Sequence, residues 1–342
     1  MRREAFMDAL ERAREIQQRH PVVDTHSHFL LNGHYLGKDF GKRHRPPWLW
    51  NPLRNTTDLP RLREGGIACA AATVYVPIPP LRLSAYSACL RMLDTLDRLV
   101  ERRAPEVVKV GTAQEIREAH AAGKLALLPA VEGGHVLGKR LERLETLRRR
   151  GVRLLTLTHF IANRICDAAW GPAVHRGVSP FGREAIAACQ RLGIVVDLTH
   201  SSEAAFFGAL EILDRPPLVT HTGLRLPGMG KRQLSLEQAK ALAQKGGAIG
   251  VIFWPWYLKP HSVFGGLDLV ADAYARLAEL VGTEHLVIGS DMDGWTWMPR
   301  GLRDASDFPR LVALLLERGF SEDDLSLMLG QNALRILEQW ER

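Results

Sequence analysis

The stretch GREAIAACQRLGIVVDLTH at residues 182–200 contains the unit from which we predict the fold. Its first part has apolar residues at helical spacing and ends at Gly193, and glycine is a common helix stop. Its second part, GIVVDLT at 193–199, is a short apolar run that suits a parallel strand covered on both faces. The unit is therefore a helix, a buried strand and then a polar residue, His200.

The same alternation of apolar runs and amphipathic segments extends over the whole chain. The candidate strands are residues 21–26, 67–76, 124–131, 152–158, 193–199, 217–222, 247–254 and 285–290. Eight strands that alternate with helices predict an α/β protein of the (β/α)8 TIM-barrel type, with a doubly wound open sheet as the main alternative. The run VVKV at 107–110 is a further strand candidate and leaves the count open.

No repeat, linker or low-complexity tract divides the 342 residues, and α/β barrels of this length are commonly one unit. We therefore predict a single barrel domain over residues 1–342. A charged helix over 1–20 precedes the first strand in this prediction, and helices over 306–342 pack on the barrel.

Composition and charge exclude several classes of protein. The net charge is +7, but basic residues are interspersed with acidic ones and no aromatic residues interleave with them, which disfavours a nucleic-acid partner. The first residues are too charged for a signal peptide, and no run approaches about 18 apolar residues. The cysteines, none of them spaced as a metal or redox motif, are Cys69, Cys89, Cys166 and Cys189. We predict a cytoplasmic protein without disulfides and without a membrane partner.

Polar residues suited to metal binding lie at the C-terminal ends of the predicted strands. They are His26, His28, Glu132, His159, His200, His221 and Asp291. Any one of them alone is more often structural than functional. In barrels, however, this end of the strands carries the active site, so the residues together predict one ring of side chains around one mouth.

Imidazoles and carboxylates are the usual zinc ligands where no thiolate is present. His26 and His28 share one face of an extended chain because side chains alternate with period two. Glu132 has two oxygens and could bridge two ions about 3.5–4 Å apart, which would hold a hydroxide between them. The pattern predicts a metal site at this mouth, in which Glu132 could bridge two zinc-class ions.

Several segments resemble the membrane dipeptidase, or renal dipeptidase, family of the amidohydrolase superfamily. The resemblance runs from about residue 21 to the C-terminus. The matching motifs are PAVEGGHVL (129–137), RRGVRLLTLTHFIAN (149–163), SPFGREAIAACQRLGIVVDLTHSSE (179–203), PLVTHTGLR (217–225), KRQLS (231–235), IGSDMDG (288–294) and the helical segment 299–337. Their number and their order along the chain make the resemblance specific.

The resemblance implies a metal site in which Glu132 bridges two zinc ions and His200 and His221 bind the second. The first motif departs from the family, where it is usually His-x-Asp and both residues bind the first zinc. Here it is His26-Ser27-His28, so a neutral imidazole takes the place of a carboxylate. We expect His28 to bind the first ion, more weakly than an aspartate would.

The resemblance also implies the substrate contacts. His159 would contact the substrate, Arg232 would bind its terminal carboxylate, and Asp291 would be the catalytic acid and base. The implied function is a zinc-dependent dipeptidase that cleaves small dipeptides with a metal-bridging hydroxide and forms a homodimer. The alternatives are an amidohydrolase acting on N-acyl amino acids or lactones, and a non-hydrolytic relative.

The segment from Asn32 to Asn55 matches no motif of the family. Because it follows the first predicted strand, it is interpreted either as part of the substrate cleft or as a surface loop with Trp48 and Trp50 as a packing anchor.

Overall fold

The structure, a computed structural model, describes residues 2–44, 55–77 and 84–341. Nine parallel strands occur within these residues. They are β1 (Val22–Ser27), β2 (Ile67–Tyr75), β3 (Val107–Lys109), β4 (Leu125–Glu132), β5 (Leu154–Thr156), β6 (Val195–Asp197), β7 (Leu218–Thr222), β8 (Ala248–Val251) and β9 (Leu286–Ile288). Each lies within or overlaps a segment predicted as a strand from the sequence.

Eight of these strands close into a barrel. They are hydrogen-bonded in the order β2, β1, β9, β8, β7, β6, β5, β4, and β2 also pairs with β4. The closing pair runs in register from Cys69 beside Ala126 to Tyr75 beside Glu132. The fold is thus a (β/α)8 TIM barrel, as predicted. The run at 107–110 forms β3, which pairs with the start of β4 outside the closed ring.

Helices cover the barrel and its ends. They are α1 (Arg2–Arg19), α2 (Phe29–Leu36), α3 (Leu59–Glu64), α4 (Ala85–Arg102), α5 (Ala113–Ala121), α6 (Glu142–Arg149), α7 (Pro180–Leu192), α8 (Glu203–Ile212), α9 (Leu236–Gln244), α10 (Asp268–Val281), α11 (Phe308–Glu317), α12 (Glu322–Ser326) and α13 (Asn332–Glu341). The N-terminal helix α1 packs on α11 and also contacts α12.

Local sequence signals set the ends of several helices. In α7, the Ser179 side chain accepts a hydrogen bond from the Gly182 amide, and the helix ends at Gly193 with φ of 64°. Ser235 and Gln238 form a capping box at the start of α9. The helix stop at Gly193 was predicted from the sequence.

The segment that follows β1 differs from the prediction. Residues 29–36 form the helix α2, so the first residues of the predicted loop from Asn32 to Asn55 are helical. The helix had little signal because no side chain caps it and Gly33 lies inside it, but its first turn is buried. The predicted packing anchor, Trp48 and Trp50, lies outside the described residues.

The four cysteines are buried free thiols, and burial raises the pKa of each of them. Within the described part of the chain, no helix combines the length and the apolar character that crossing a membrane requires.

Candidate metal centre and active site

The residues predicted to form the site come together at the C-terminal mouth of the barrel. They occupy the ends of β1, β4 and β7 and the loops after β5, β6, β7 and β9. The cavity there has a volume of about 140 Å³, and its lining includes His28, Glu132, His159, His200, His221, Arg232 and Asp291. The ring predicted from the strand ends therefore exists in the structure.

One half of the centre, called the second half below, is formed by His200 and His221. Their Nε2 atoms lie 3.2 Å apart. His200 Nε2 lies 3.2 Å from Glu132 Oε1, and His221 Nε2 lies 3.6 Å from the same oxygen. His200 adopts a left-handed backbone with φ of 69°, which is uncommon for a residue other than glycine. This conformation directs the chain after β6 so that the imidazole meets the one from β7.

A buried threonine fixes the protonation of His221. Thr220 Oγ1 donates its hydrogen to Asp197 Oδ2 at 2.8 Å, because a carboxylate can only accept. The same oxygen lies 3.0 Å from His221 Nδ1, so it must accept the Nδ1 proton. His221 Nε2 therefore carries a lone pair. His200 Nε2 lies 3.4 Å from Arg232 Nη2, which can only donate, so this nitrogen also carries a lone pair.

The first half of the centre is formed by His26 and His28. Their Nε2 atoms lie 3.0 Å apart. His26 Nε2 is 3.5 Å from Glu132 Oε1, and His28 Nε2 is 3.4 Å from Glu132 Oε2 and from Asp291 Oδ1. The two oxygens of Glu132 thus face both halves, which is the arrangement that a bridging carboxylate requires.

The two halves differ in charge. Burial, together with neighbouring cationic groups, lowers the pKa of His26, His200 and His221 well below the ordinary value. Burial also lowers the pKa of His28, but the hydrogen bond to Asp291 and the charge of Glu132 outweigh it and leave the pKa raised. Without a metal, His28 is therefore the imidazole that holds a proton most readily.

Burial changes the pKa of the carboxyl groups of the centre. It raises the pKa of Glu132 to about 8 and also raises the pKa of Asp291. Asp24 and Asp197 are buried beside them, and the one guanidinium that lines the cavity among the described residues is Arg232. The centre thus has more acidic than basic groups, which favours bound cations.

The spacing of the nitrogens and oxygens fits metal ions. Zinc bonds of 2.0–2.1 Å place tetrahedral ligand atoms about 3.4 Å apart, and the separations within each half lie close to this value. In the second half, the lone pairs of two neutral imidazoles face each other at 3.2 Å, which is unfavourable unless a cation lies between them. The residues therefore fit one metal ion in each half.

Asp291 lies on a segment with an unusual backbone. Asp291, Asp293 and Trp295 have φ values of 53°, 63° and 66°. Gly294 packs so closely that a Cβ there would lie 2.0 Å from Asp291 Oδ1 and 2.7 Å from His28 Cδ2. Such strain persists only where neighbouring contacts hold it.

The Asp293 side chain provides those contacts. It accepts hydrogen bonds from the amide and hydroxyl groups of Thr56 and Thr57 and from Asn32 Nδ2. Asp293 therefore ties the segment of Asp291 to α2 and to the chain before α3. The sequence motif IGSDMDG contained this residue, but nothing in it indicated these partners.

Arg232 is a buried cation without an acidic partner. No carboxylate of the described residues lies within ion-pair distance of it. Its Nη2 donates to the His221 carbonyl at 2.9 Å, its Nη1 donates to Thr222 Oγ1 at 3.3 Å, and its Nε has no partner. The guanidinium lines the cavity and lies over the Tyr257 ring. A buried guanidinium in this state offers a binding position for an anion.

His159 lies between the metal residues and the aromatic wall of the cavity. Its Nε2 is 3.7 Å from Glu132 Oε1, and its ring contacts those of Tyr75 and Phe160. Burial lowers the pKa of His159 to about 2. Sequence reasoning missed the lining residues Tyr75 and Tyr257, although the pairing of Tyr75 with Glu132 follows from the strand register. Of the described residues in 32–55, none lines this cavity.

Comparison with known sequences identifies the relatives. The family model of the membrane dipeptidases, peptidase family M19, matches residues 10–342. The dipeptidase tcpJ of Claviceps purpurea (strain 20.1) is 30% identical over 298 residues, which cover 84% of this chain and 70% of that protein.

Solved structures show the same architecture. A metallopeptidase of Rhodobacter sphaeroides, in complex with a phosphinate mimic of the dipeptide L-Ala-D-Ala, is 25% identical with a TM-score of 0.83, covering 93% of this chain and 99% of that one. The dipeptidase AC, a metallopeptidase of family M19, is 27% identical with a TM-score of 0.83, covering 94% and 99%. The probable dipeptidase PvdM of Pseudomonas aeruginosa, at 20% identity, shares the fold with a TM-score of 0.89, covering 98% and 99%.

Proposed function

Because the chain belongs to the membrane dipeptidase family, we propose that it is a zinc-dependent dipeptidase that cleaves the amide bond of small dipeptides. The observation that carries this proposal is the position of Arg232. Its buried guanidinium has no acidic partner among the described residues and lies beside the paired imidazoles of the second half. A substrate carboxylate bound there would place the neighbouring amide bond over the metal ligands.

The proposed ligands of the first zinc are His26, His28 and Glu132, and those of the second are Glu132, His200 and His221. A metal pair held by these residues would supply a water activated as a nucleophile at neutral pH. Thr220 and Asp197 orient the imidazoles of His221 and His26, since Thr220 Oγ1 lies 3.0 and 3.4 Å from their Nδ1 atoms. Fixed orientation of this kind raises metal affinity.

Asp291 is proposed to move the proton. Its Oδ1 lies 3.4 Å from His28 Nε2, at the edge of the ligand cluster and inside the cavity. Its raised pKa helps the carboxyl group to take a proton from the nucleophile and to pass it to the leaving amine. The constrained segment 291–295 holds the carboxylate at this position.

His159 and Arg232 are proposed to bind the substrate. His159 is neutral because of its low pKa, so one of its nitrogens can donate a hydrogen bond to the oxygen that gains charge during attack on the carbonyl. Arg232 would hold the terminal carboxylate and limit the enzyme to short substrates, because an extension beyond the carboxylate would meet the buried wall around Thr222.

A substrate screen tests this function. Zinc-loaded protein is incubated with L,L-dipeptides, L,D-dipeptides and N-acylated amino acids, and release of free amino acid is measured. We expect hydrolysis of at least one dipeptide series. Hydrolysis of N-acyl amino acids alone would support the related amidohydrolase activity. No turnover of any substrate by metal-loaded protein would support a non-hydrolytic role.

We also propose that the chain acts as one barrel domain in the cytoplasm and forms a homodimer. Four buried free thiols suit a reducing compartment. Cell fractionation and sedimentation of the purified protein test these two points. Recovery outside the cytoplasm, or a monomer at micromolar concentration, would contradict them.

A further inference from the structure

The mouth of the cavity carries large aromatic side chains that do not contribute to the core. Trp295 is 56% exposed and Phe160 is 45% exposed, yet both line the cavity. Phe160 stacks on Trp170 with ring centroids 5.0 Å apart and planes 4° apart. Exposed aromatic groups gathered at one cavity mark a surface that binds an apolar ligand.

Trp295 is the least expected of these residues. It has a left-handed backbone, which bulky residues seldom adopt, and more than half of its side chain reaches solvent. Folding gains little from an indole in such a position. An uncommon backbone conformation that holds an exposed aromatic ring at a cavity is a reason to look for a binding role.

The contacts of the cavity give its two ends different chemistry. Arg232 lies at the end formed by His200 and His221. At the other end, Gly294 packs against His28 and Asp291, and Trp295 follows it directly. If Arg232 binds the carboxylate of the substrate, the amino-terminal residue of the substrate extends towards His28 and Trp295.

The end beyond His28 is apolar. Tyr75 lies with its ring centroid 6.1 Å from that of His28 and 4.7 Å from that of His159. Leu31 and Pro77 also line the cavity. Of the described residues, the carboxylates that line it are Glu132 and Asp291, both already assigned to the metal ions and to proton transfer. Selectivity at this end must therefore come from apolar contact.

We propose that Tyr75 and Trp295 form an amino-end pocket that selects dipeptides with a bulky apolar or aromatic first residue. This inference rests on the proposed dipeptidase function, which sets the direction of the substrate. Burial of a large side chain against these rings favours such substrates over alanine, since apolar contact increases with the area removed from water.

Kinetics on matched dipeptides test the pocket. We expect kcat/KM for Phe-Ala to exceed that for Ala-Ala by about tenfold or more, whereas Ala-Phe gains less. Trp295→Ala should reduce the Phe-Ala to Ala-Ala ratio about tenfold, and the exposed position of the side chain makes unfolding an improbable cause. Trp256→Ala is the matched control, because Trp256 is 44% exposed and does not line the cavity, and it should leave the ratio unchanged.

Binding of phosphinate mimics of Phe-Ala and Ala-Ala, measured by calorimetry, separates this inference from the proposed function. Equal kcat/KM values and equal affinities would overturn the pocket while leaving a dipeptidase. A third outcome is that no dipeptide is turned over, but the Phe-Ala mimic binds more tightly than the Ala-Ala mimic and this difference depends on Trp295. That outcome would support the pocket and overturn the dipeptidase function. Absence of turnover with equal or undetectable binding of both mimics would overturn both.

Discussion

The two halves of the metal centre are built with different degrees of support. In the second half, His221 is held by Thr220 at 3.0 Å, and its carbonyl accepts a hydrogen bond from Arg232. In the first half, His28 Nδ1 is buried and has no partner among the described residues. The orientation of His221 therefore does not depend on a bound metal, whereas His28 lacks such a partner at Nδ1.

The arrangement of the first half depends more on a bound proton or metal ion. His28 Nε2 faces His26, Glu132 and Asp291, so it requires a proton or a cation. A neutral imidazole also compensates the charge of two dications less well than a carboxylate does. We therefore predict that a second-half ion binds more tightly than a first-half ion.

The largest expected effect comes from His28. His28→Ala should reduce zinc towards one ion per chain and lower kcat/KM by about 100-fold or more, since loss of even an outer partner of a ligand costs 10–100-fold. His28→Asp should keep two ions and measurable activity, with the acidic limb of the pH profile moved upward. Elemental analysis and pH–rate profiles measure both. Two tightly bound ions and near-normal turnover in His28→Ala would show that His28 is not a ligand.

Arg232 tests the substrate side of the second half. Arg232→Ala should raise KM about 10–100-fold for dipeptides with a free carboxylate, because a charge-assisted hydrogen bond contributes about 1.5–3 kcal/mol. Dipeptide amides should lose less, as they cannot form the charged pair. Circular dichroism checks that the variant folds. Equal losses on both substrates would mean that Arg232 only holds its own loop in place.

Metal uptake should depend on pH through Glu132. In metal-free protein the pKa of this residue is raised to about 8, so it is mostly protonated at pH 7, whereas a bridging carboxylate must be ionised. Affinity for zinc should therefore rise with pH, by at most about tenfold per unit from this group, and level off above about pH 8. Competition titrations with a chelator of known affinity measure this. Affinity that is flat or falls between pH 6 and 8 would contradict the assignment of Glu132.

Thr220 should have the smallest effect, and it connects the two halves. Thr220→Val removes a hydroxyl group that contacts His26 and His221 and should weaken zinc binding about tenfold. Thr156→Val is the matched control, because the Thr156 hydroxyl also donates to Asp197 but has no hydrogen bond to a proposed metal ligand among the described residues. If the two variants lose zinc affinity equally, the effect comes from Asp197 alone and not from orientation of the imidazoles.

The convergence of the candidate metal residues could be predicted because each of them lies at or just after the end of a strand, and strand ends meet at one mouth in a barrel. Thr220 could not be predicted in the same way. Alternation along a strand would direct Thr220 and His221 to opposite faces, but the pairing of β7 with β8 is irregular between Val219 and Thr222 and brings both to the centre.

The contacts of Asp293 could not be predicted from the sequence either. They join it to Thr56 and Thr57, more than 230 residues away, across a segment with no motif to suggest the pairing. The exposure of Trp295 could not be predicted either, because it follows from a backbone conformation that the sequence does not reveal.

The zinc content of the purified protein tests the central claim most directly. After reconstitution with zinc and dialysis, elemental analysis should give close to two ions per chain, and removal of both by a chelator should abolish dipeptide hydrolysis. One ion per chain would limit the centre to its second half. No bound metal after reconstitution would contradict the account.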